Sequence, residues 1–178
     1  VKTGDCSLGV SGSISHNMAE LDKADIEFNG EIGEDSLQWI EKRVNVPPEL
    51  CIRPPLSIQK AHITWEKDSR MSFVSNLMLQ HGPEVSVDML LNPENLEIKN
   101  ALIQDAESSA SFRFRLGEKA INFGFTGNLS HTTTDKIFLN TPFTKEWIKG
   151  DFQAHIQMDQ PKHSLFQGVL EGENLSVY

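Results

Sequence analysis

Apolar and polar residues alternate along most of this chain. Leu8, Val10 and Ile14 are interleaved with small polar residues, and Ile26 and Phe28 with Asp25, Glu27 and Asn29. Ala61, Ile63 and Trp65 alternate with Lys60, His62, Thr64 and Glu66, and Met71 and Phe73 are followed by Leu77 and Leu79. Val85, Val87, Met89 and Leu91 come next, then Leu96 and Ile98, then Ala110, Phe112, Phe114 and Leu116. Ile121, Phe123 and Phe125 continue the pattern, as do Phe152, Ala154, Ile156 and Met158. A period of two places one side of a strand against apolar material and the other in water. Short polar breaks between such runs predict antiparallel pairing in a meander.

The breaks carry turn chemistry. Residues 67–70, 81–83, 92–95 and 116–119 hold Asp, Gly, Pro and Asn between alternating runs. Gly supplies positive φ, Pro fixes φ, and Asn or Asp caps its own backbone. Six consecutive strands are expected from about residue 57 to 128, forming a central β-meander.

Two segments leave this rhythm. Over residues 33–44, Leu37, Ile40 and Val44 fall on one helical face with Trp39 beside them, and Asp35 or Ser36 is placed to cap the start. Pro47-Pro48 ends that helical insert, which spans 33–48. At 131–135 a polar loop or cap is expected, and at 136–139 a short helical turn. The fold class is therefore mainly β, an antiparallel meander forming a long twisted, curled sheet or open groove with one or two short helices. The 178 residues are read as a single β-rich domain. The chain opens on Val1, and Leu175–Tyr178 read as a strand cut in mid-pattern. Both features lead to the expectation of a piece of a longer protein.

Phe28-Asn-Gly30-Glu-Ile32, Phe125-Thr-Gly127-Asn-Leu129 and Phe166-Gln-Gly168-Val-Leu170 share the form Phe-x-Gly-x-Ile/Leu. A Gly inside a strand pattern marks a bulge, a bend or a close approach of backbones. Gly30, Gly127 and Gly168 are accordingly read as structural. None belongs to a phosphate-binding loop motif.

Charge removes some functions. A net charge of −9 repels nucleic acid, and no basic stripe offsets it. Anionic lipid surfaces are disfavoured for the same reason. Arg113 and Arg115 alternate with Phe112 and Phe114 and read as solubilising residues on the outer face, with contact to a lipid head group as the minor reading. No nucleophile-elbow motif is present. The six histidines lack His-x-x-x-His or His-x-His spacing, and His62 and His155 fall in the solvent phase, so no metal site or cofactor is expected. Glu66, Glu84 and Asp88 read as solvated strand faces rather than paired catalytic carboxylates. Cys6 and Cys51 are read as unpaired thiols, with a disulfide the alternative in an oxidising compartment.

The stretch from Ala61 to Tyr178 resembles the AsmA-like family of bacterial envelope proteins. The resemblance rests on amphipathic strands followed by Phe125-Thr-Gly-Asn-Leu129, then Gly150-Asp151-Phe152 opening a strand, then Phe166–Leu170 and Glu171-Gly-Glu-Asn-Leu175. The charged helix and Pro-Pro linker near 33–55 depart from the family pattern. The resemblance implies a periplasmic location and a membrane anchor outside this sequence. It also implies a curled β-groove whose apolar inner face shields lipid or phospholipid acyl chains, and a role in outer-membrane biogenesis or lipid transport. The family has no catalytic residues to carry over, so the chain is expected not to be an enzyme. Phe112, Phe114, Ile121, Phe123, Phe125, Phe152 and Ile156 would line the groove. The bland alternative makes them ordinary core under the 33–44 helix. A scaffold domain within an envelope complex, bound to other envelope proteins or to the rest of its own chain, is the competing function. A carbohydrate-active enzyme is a third.

Overall fold

The computed structural model describes residues 2–17, 20–140 and 147–173. Among them, one open antiparallel sheet takes in every strand, and spatial order equals chain order from β1 to β11. The strands are β1 (Lys2–Thr3), β2 (Cys6–Asn17), β3 (Glu20–Ile32), β4 (Leu56–Glu66), β5 (Arg70–Leu79) and β6 (Glu84–Asn92). They continue as β7 (Asn95–Gln104), β8 (Ser109–Leu116), β9 (Ala120–Leu129), β10 (Trp147–Gln157) and β11 (Leu165–Glu173). Two helices interrupt them, α1 (Glu34–Val44) after β3 and α2 (His131–Ile137) after β9. The six strands expected between 57 and 128 are β4 to β9. The expected terminal strand at Leu175–Tyr178 lies outside the described residues.

The turns work as their residues require. Asn92 Oδ1 accepts the N–H groups of Glu94 (3.1 Å) and Asn95 (2.9 Å). Asp105 does the same for Glu107 (2.9 Å) and Ser108 (2.8 Å) between β7 and β8. A side chain that folds back on its own backbone in this way stands in for a peptide partner.

Three departures from the expected pattern have clear causes. First, the buried side of α1 is Leu37 with Glu41, while Trp39 and Ile40 face outward. Val44 lies outside the described side chains. Glu41 is covered because its carboxylate accepts the Ile52 N–H at 2.7 Å, so a hydrogen bond takes the place of an apolar contact. Second, neither Asp35 nor Ser36 caps α1. Gly33 is the N-cap residue and contributes no side chain. The cap is Asp5, from the β1–β2 turn, whose carboxylate accepts the N–H groups of Asp35 (2.8 Å) and Ser36 (3.2 Å) and the Ser36 hydroxyl (2.6 Å). Third, residues 131–135 are not a loop. They form the body of α2, started by Ser130, whose hydroxyl accepts the Thr133 N–H. The helical turn expected at 136–139 is instead the end of α2 and an extended residue, Phe138.

The helices meet over one end of the sheet. Leu37 of α1 packs on Ile32, Ile58 and Ala61, and Ile137 of α2 packs on Leu56 and Leu79. The segments beyond them join in a bridge of Ile52 to Phe138. The Arg53 N–H donates to Ile137 O (2.7 Å) and the Leu139 N–H to Cys51 O (2.8 Å). The Arg53 guanidinium adds bonds to the carbonyls of Asp135 and Phe138. This cap brings together chain that flanks β4 and chain that flanks β9, five strands apart in the sheet. Cys6 and Cys51 are not joined in a disulfide.

Candidate functional site: a continuous apolar sheet face

Directly paired residues of an antiparallel sheet point to the same side. The register can therefore be followed across the sheet, and it yields unbroken ladders that start on β2 and reach β10 or β11. One runs Val10, Phe28, Ala61, Ser75, Val87, Ala101, Phe112, Phe125, Phe152, Gly168. The next runs Gly12, Ile26, Ile63, Phe73, Met89, Ile98, Phe114, Phe123, Ala154, Phe166. A third, nearer the helical cap, joins Leu8, Gly30, Ile58, Leu77, Val85, Ile103, Ala110, Gly127, Gly150 and Leu170. A fourth, at the far end, carries Ile14, Ala24, Trp65, Met71, Leu91, Leu96, Leu116, Ile121 and Ile156. Ser75 is the one polar side chain in these four rows.

Two bulges keep that face in phase. Between Ile58 and Ala61 one extra residue enters β4, and between Ile98 and Ala101 one enters β7. Without them the second half of each strand would present its polar side to the apolar face, because a shift of one residue inverts every side chain. The signal is legible in the sequence as apolar positions three apart, and the simple reading of alternation misses it, along with Ala101 and Ile103.

All seven expected lining residues lie on this face, in adjacent rows. Phe112, Phe125 and Phe152 are consecutive in one ladder, Phe114 and Phe123 in the next, and Ile121 and Ile156 in the last. They are not equivalent. Phe125 is 2% exposed and its ring lies 5.1 Å from that of Phe112 in a tilted pair, so it is interior packing. The other six are half-buried. Gly30, Gly127 and Gly168 stand on the same face with φ of 138°, 117° and 110°. A Cβ on any of them would come within about 2.0 Å of a carbonyl oxygen of the paired strand. The repeated Phe-x-Gly motif thus marks close approach of backbones, and Gly12 and Gly150 share the geometry without sharing the motif.

The cap covers only part of this face. Towards the end away from it, and at both sheet edges, large apolar side chains are open to solvent: Ile14 is 61% exposed, Val10 52%, Leu91 41% and Phe166 64%.

The opposite face is polar, and His62, His155 and Glu66 fall on it as expected. His62 Nε2 is 2.8 Å from Asp25 and Lys23 Nζ is 2.7 Å from Glu66. His155 Nδ1 is 2.7 Å from Asn122 Oδ1. The Lys23 ammonium, by hydrogen bond and then by charge, holds the Glu66 carboxyl below its ordinary range. Among the described residues no group of His, Cys, Asp and Glu is placed to hold a metal ion, and no helix is long and apolar enough to cross a membrane.

No family model, no curated protein and no solved structure matches the chain.

Proposed function

We propose that this chain is a non-enzymatic, lipid-handling segment of a periplasmic envelope protein of the AsmA-like kind, anchored to a membrane by a part outside this sequence. On this reading the apolar face is the wall of a groove that receives the acyl chains of phospholipids. The observation that carries it is the set of ladders running from β2 to β10 or β11 with a single hydroxyl among them. A hydrocarbon chain asks for a continuous apolar surface and a backbone whose hydrogen bonds are already made. A sheet side that is apolar throughout supplies both. Each methylene withdrawn from water contributes about 0.8 kcal/mol, so a chain lying along several strands would be held firmly without any polar contact. The helical cap fits as an end-stop that leaves the rest of the face open.

The test is mass spectrometry of an organic extract from protein purified without detergent, combined with displacement of a fluorescent fatty acid. Acyl lipid should co-purify. Leu91→Asp and Leu116→Asp, at half-exposed positions of the outermost ladder, should abolish displacement while leaving the fold intact. A clean extract together with no uptake by the folded protein would sink the proposal.

A second reading, a scaffold domain that pairs with other envelope proteins, is favoured by one feature. The outer edge of β11 is uncharged from Leu165 to Leu170, and four of its large apolar side chains are exposed. Strand pairing at such an edge requires no lipid.

A further inference from the structure

The polar side of the sheet contains a feature that acyl-chain binding leaves unused. Across β7 to β11 a hollow of about 390 Å³ opens on the face opposite the ladders. Its floor is two cross-strand rows. One runs Glu97, Arg115, Asn122, His155, Leu165, and the other places Arg113, Gly124, Gln153 and Gln167 side by side. Lys99, the extra residue of the β7 bulge, lines the same hollow. A bulge turns a side chain away from regular alternation, and here it adds a third cation beside the two arginines.

In a chain of net charge −9, this hollow gathers Arg113, Arg115 and Lys99 against one lining carboxylate, Glu97. Lys99 has a long contact to Asp88 at 3.9 Å. The Arg113 and Arg115 guanidiniums make no hydrogen bond or ion pair among the described residues. Gly124 explains how Arg113 is held. A Cβ on Gly124 would lie 3.4 Å from Arg113 Nε and 3.7 Å from Nη2, so the guanidinium rests against bare backbone. That contact leaves its fork of donors open to solvent. Around it, the amides of Gln153 and Gln167 offer neutral donors.

We infer that this hollow is a binding site for a phosphoryl group, an oxyanion held between the Arg113 and Arg115 guanidiniums with Lys99 beside them. Guanidinium forks match the oxygens of phosphate in pairs, and such charge-assisted bonds are roughly twice as strong as neutral ones. The phosphate of a lipid in the apolar groove is excluded as occupant, because the sheet itself stands between the two faces. The phosphoryl group therefore belongs to a soluble phosphate ester or to a membrane lipid presented from outside.

The experiment follows the arginine Nε–H signals by proton–nitrogen correlation spectroscopy while inorganic phosphate is added at low ionic strength, with sodium chloride as the matched control. Arg113 and Arg115 should shift saturably with phosphate and not with chloride. Arg113→Gln should weaken binding by about tenfold, the scale of one lost hydrogen bond to a charged group, with an unchanged melting temperature. Arg115→Gln should weaken it by a similar factor. Glycerol 3-phosphate and vesicles of phosphatidic acid then separate the two sources of phosphate, and binding to either sustains the inference. Shifts that follow ionic strength alone, or affinity retained in both variants, overturn it.

Discussion

At Ser75 a hydroxyl stands in the middle of an apolar ladder, opposite Ala61 and Val87. Its oxygen is sealed from water and has no hydrogen-bond partner among the described residues. Leaving a buried polar group unmade costs about 1–3 kcal/mol, so Ser75→Ala should raise stability by roughly 1 kcal/mol in urea unfolding. A fall in stability would mean that the hydroxyl has a partner after all. Phe125 is buried against the ring of Phe112, and Phe125→Ala should cost about 3–5 kcal/mol. Phe166→Ala, at an exposed edge position, should cost far less in the same assay. The gap at residue 75 was visible in the sequence, since Met71, Phe73, Leu77 and Leu79 keep one phase around it. The distinction between Phe125 and its six companions was not. Alternation tells which side of a sheet a residue faces, but how deeply it is covered depends on neighbours several strands away.

The helices are fastened by residues that local sequence does not reveal. Asp5 lies 30 residues before Asp35, so no capping motif within α1 could have announced it, and the covered position of Glu41 depends on Ile52. The strands were legible because each pairs with its neighbour in sequence, whereas the cap joins segments far apart in the chain. The Ser36 hydroxyl first, opposed by desolvation as the next largest effect, and then the N–H groups of Asp35 and Ser36, hold the Asp5 carboxyl below its ordinary range. Asp5→Ala should loosen α1 and lower the melting temperature by about 2–4 °C, the change that accompanies loss of one helix cap in a chain of this size.

α2 has its own fastening. Asp105 accepts the Thr133 hydroxyl, Ser108 and Thr133 share a hydrogen bond of 2.6 Å, and Lys136 lies 3.6 Å from Asp105. Glu107 accepts the Thr132 hydroxyl. Desolvation works to raise the Asp105 carboxyl. The N–H groups of Glu107 and Ser108, the Thr133 hydroxyl and Lys136 outweigh it and hold the group below its ordinary value of 3.8. A carboxyl lowered in the folded state stabilises fully above its unfolded value and loses that contribution as pH falls through it. The amides of Thr133 and Phe138 should therefore exchange faster once pH drops below 3.8, ahead of the central strands. Asp105→Asn should abolish that pH dependence. Equal exchange in the two proteins throughout the acid range would show that Asp105 is not the fastener.

At the level of the whole molecule, the described sheet is bordered by β1 with β2 on one side and by β11 on the other. β1 pairs with Cys6 and Ser7 of β2, and among the described residues the stretch from Gly9 to Ser15 borders the sheet without a charged residue. β11 is the other border. Natural sheets blunt such edges with charge, proline or cover, and here Gly9–Ser15 of β2 and Leu165–Leu170 of β11 carry neither charge nor proline. Val169→Lys should suppress concentration-dependent self-association, measured by sedimentation velocity. Unchanged association would assign it to the apolar face instead.

The coincidence of spatial order with chain order has a kinetic consequence. Each strand needs only the one before it as a template, so zippering can begin at any hairpin and spread in both directions, as in solenoid repeats. The cap is the exception, because it must wait until the chain from Cys51 to Leu139 has closed into a loop. Folding should then show a fast phase insensitive to changes in the cap and a slower one that Arg53→Ala lengthens. The apolar face would form first and be fenced at one end afterwards.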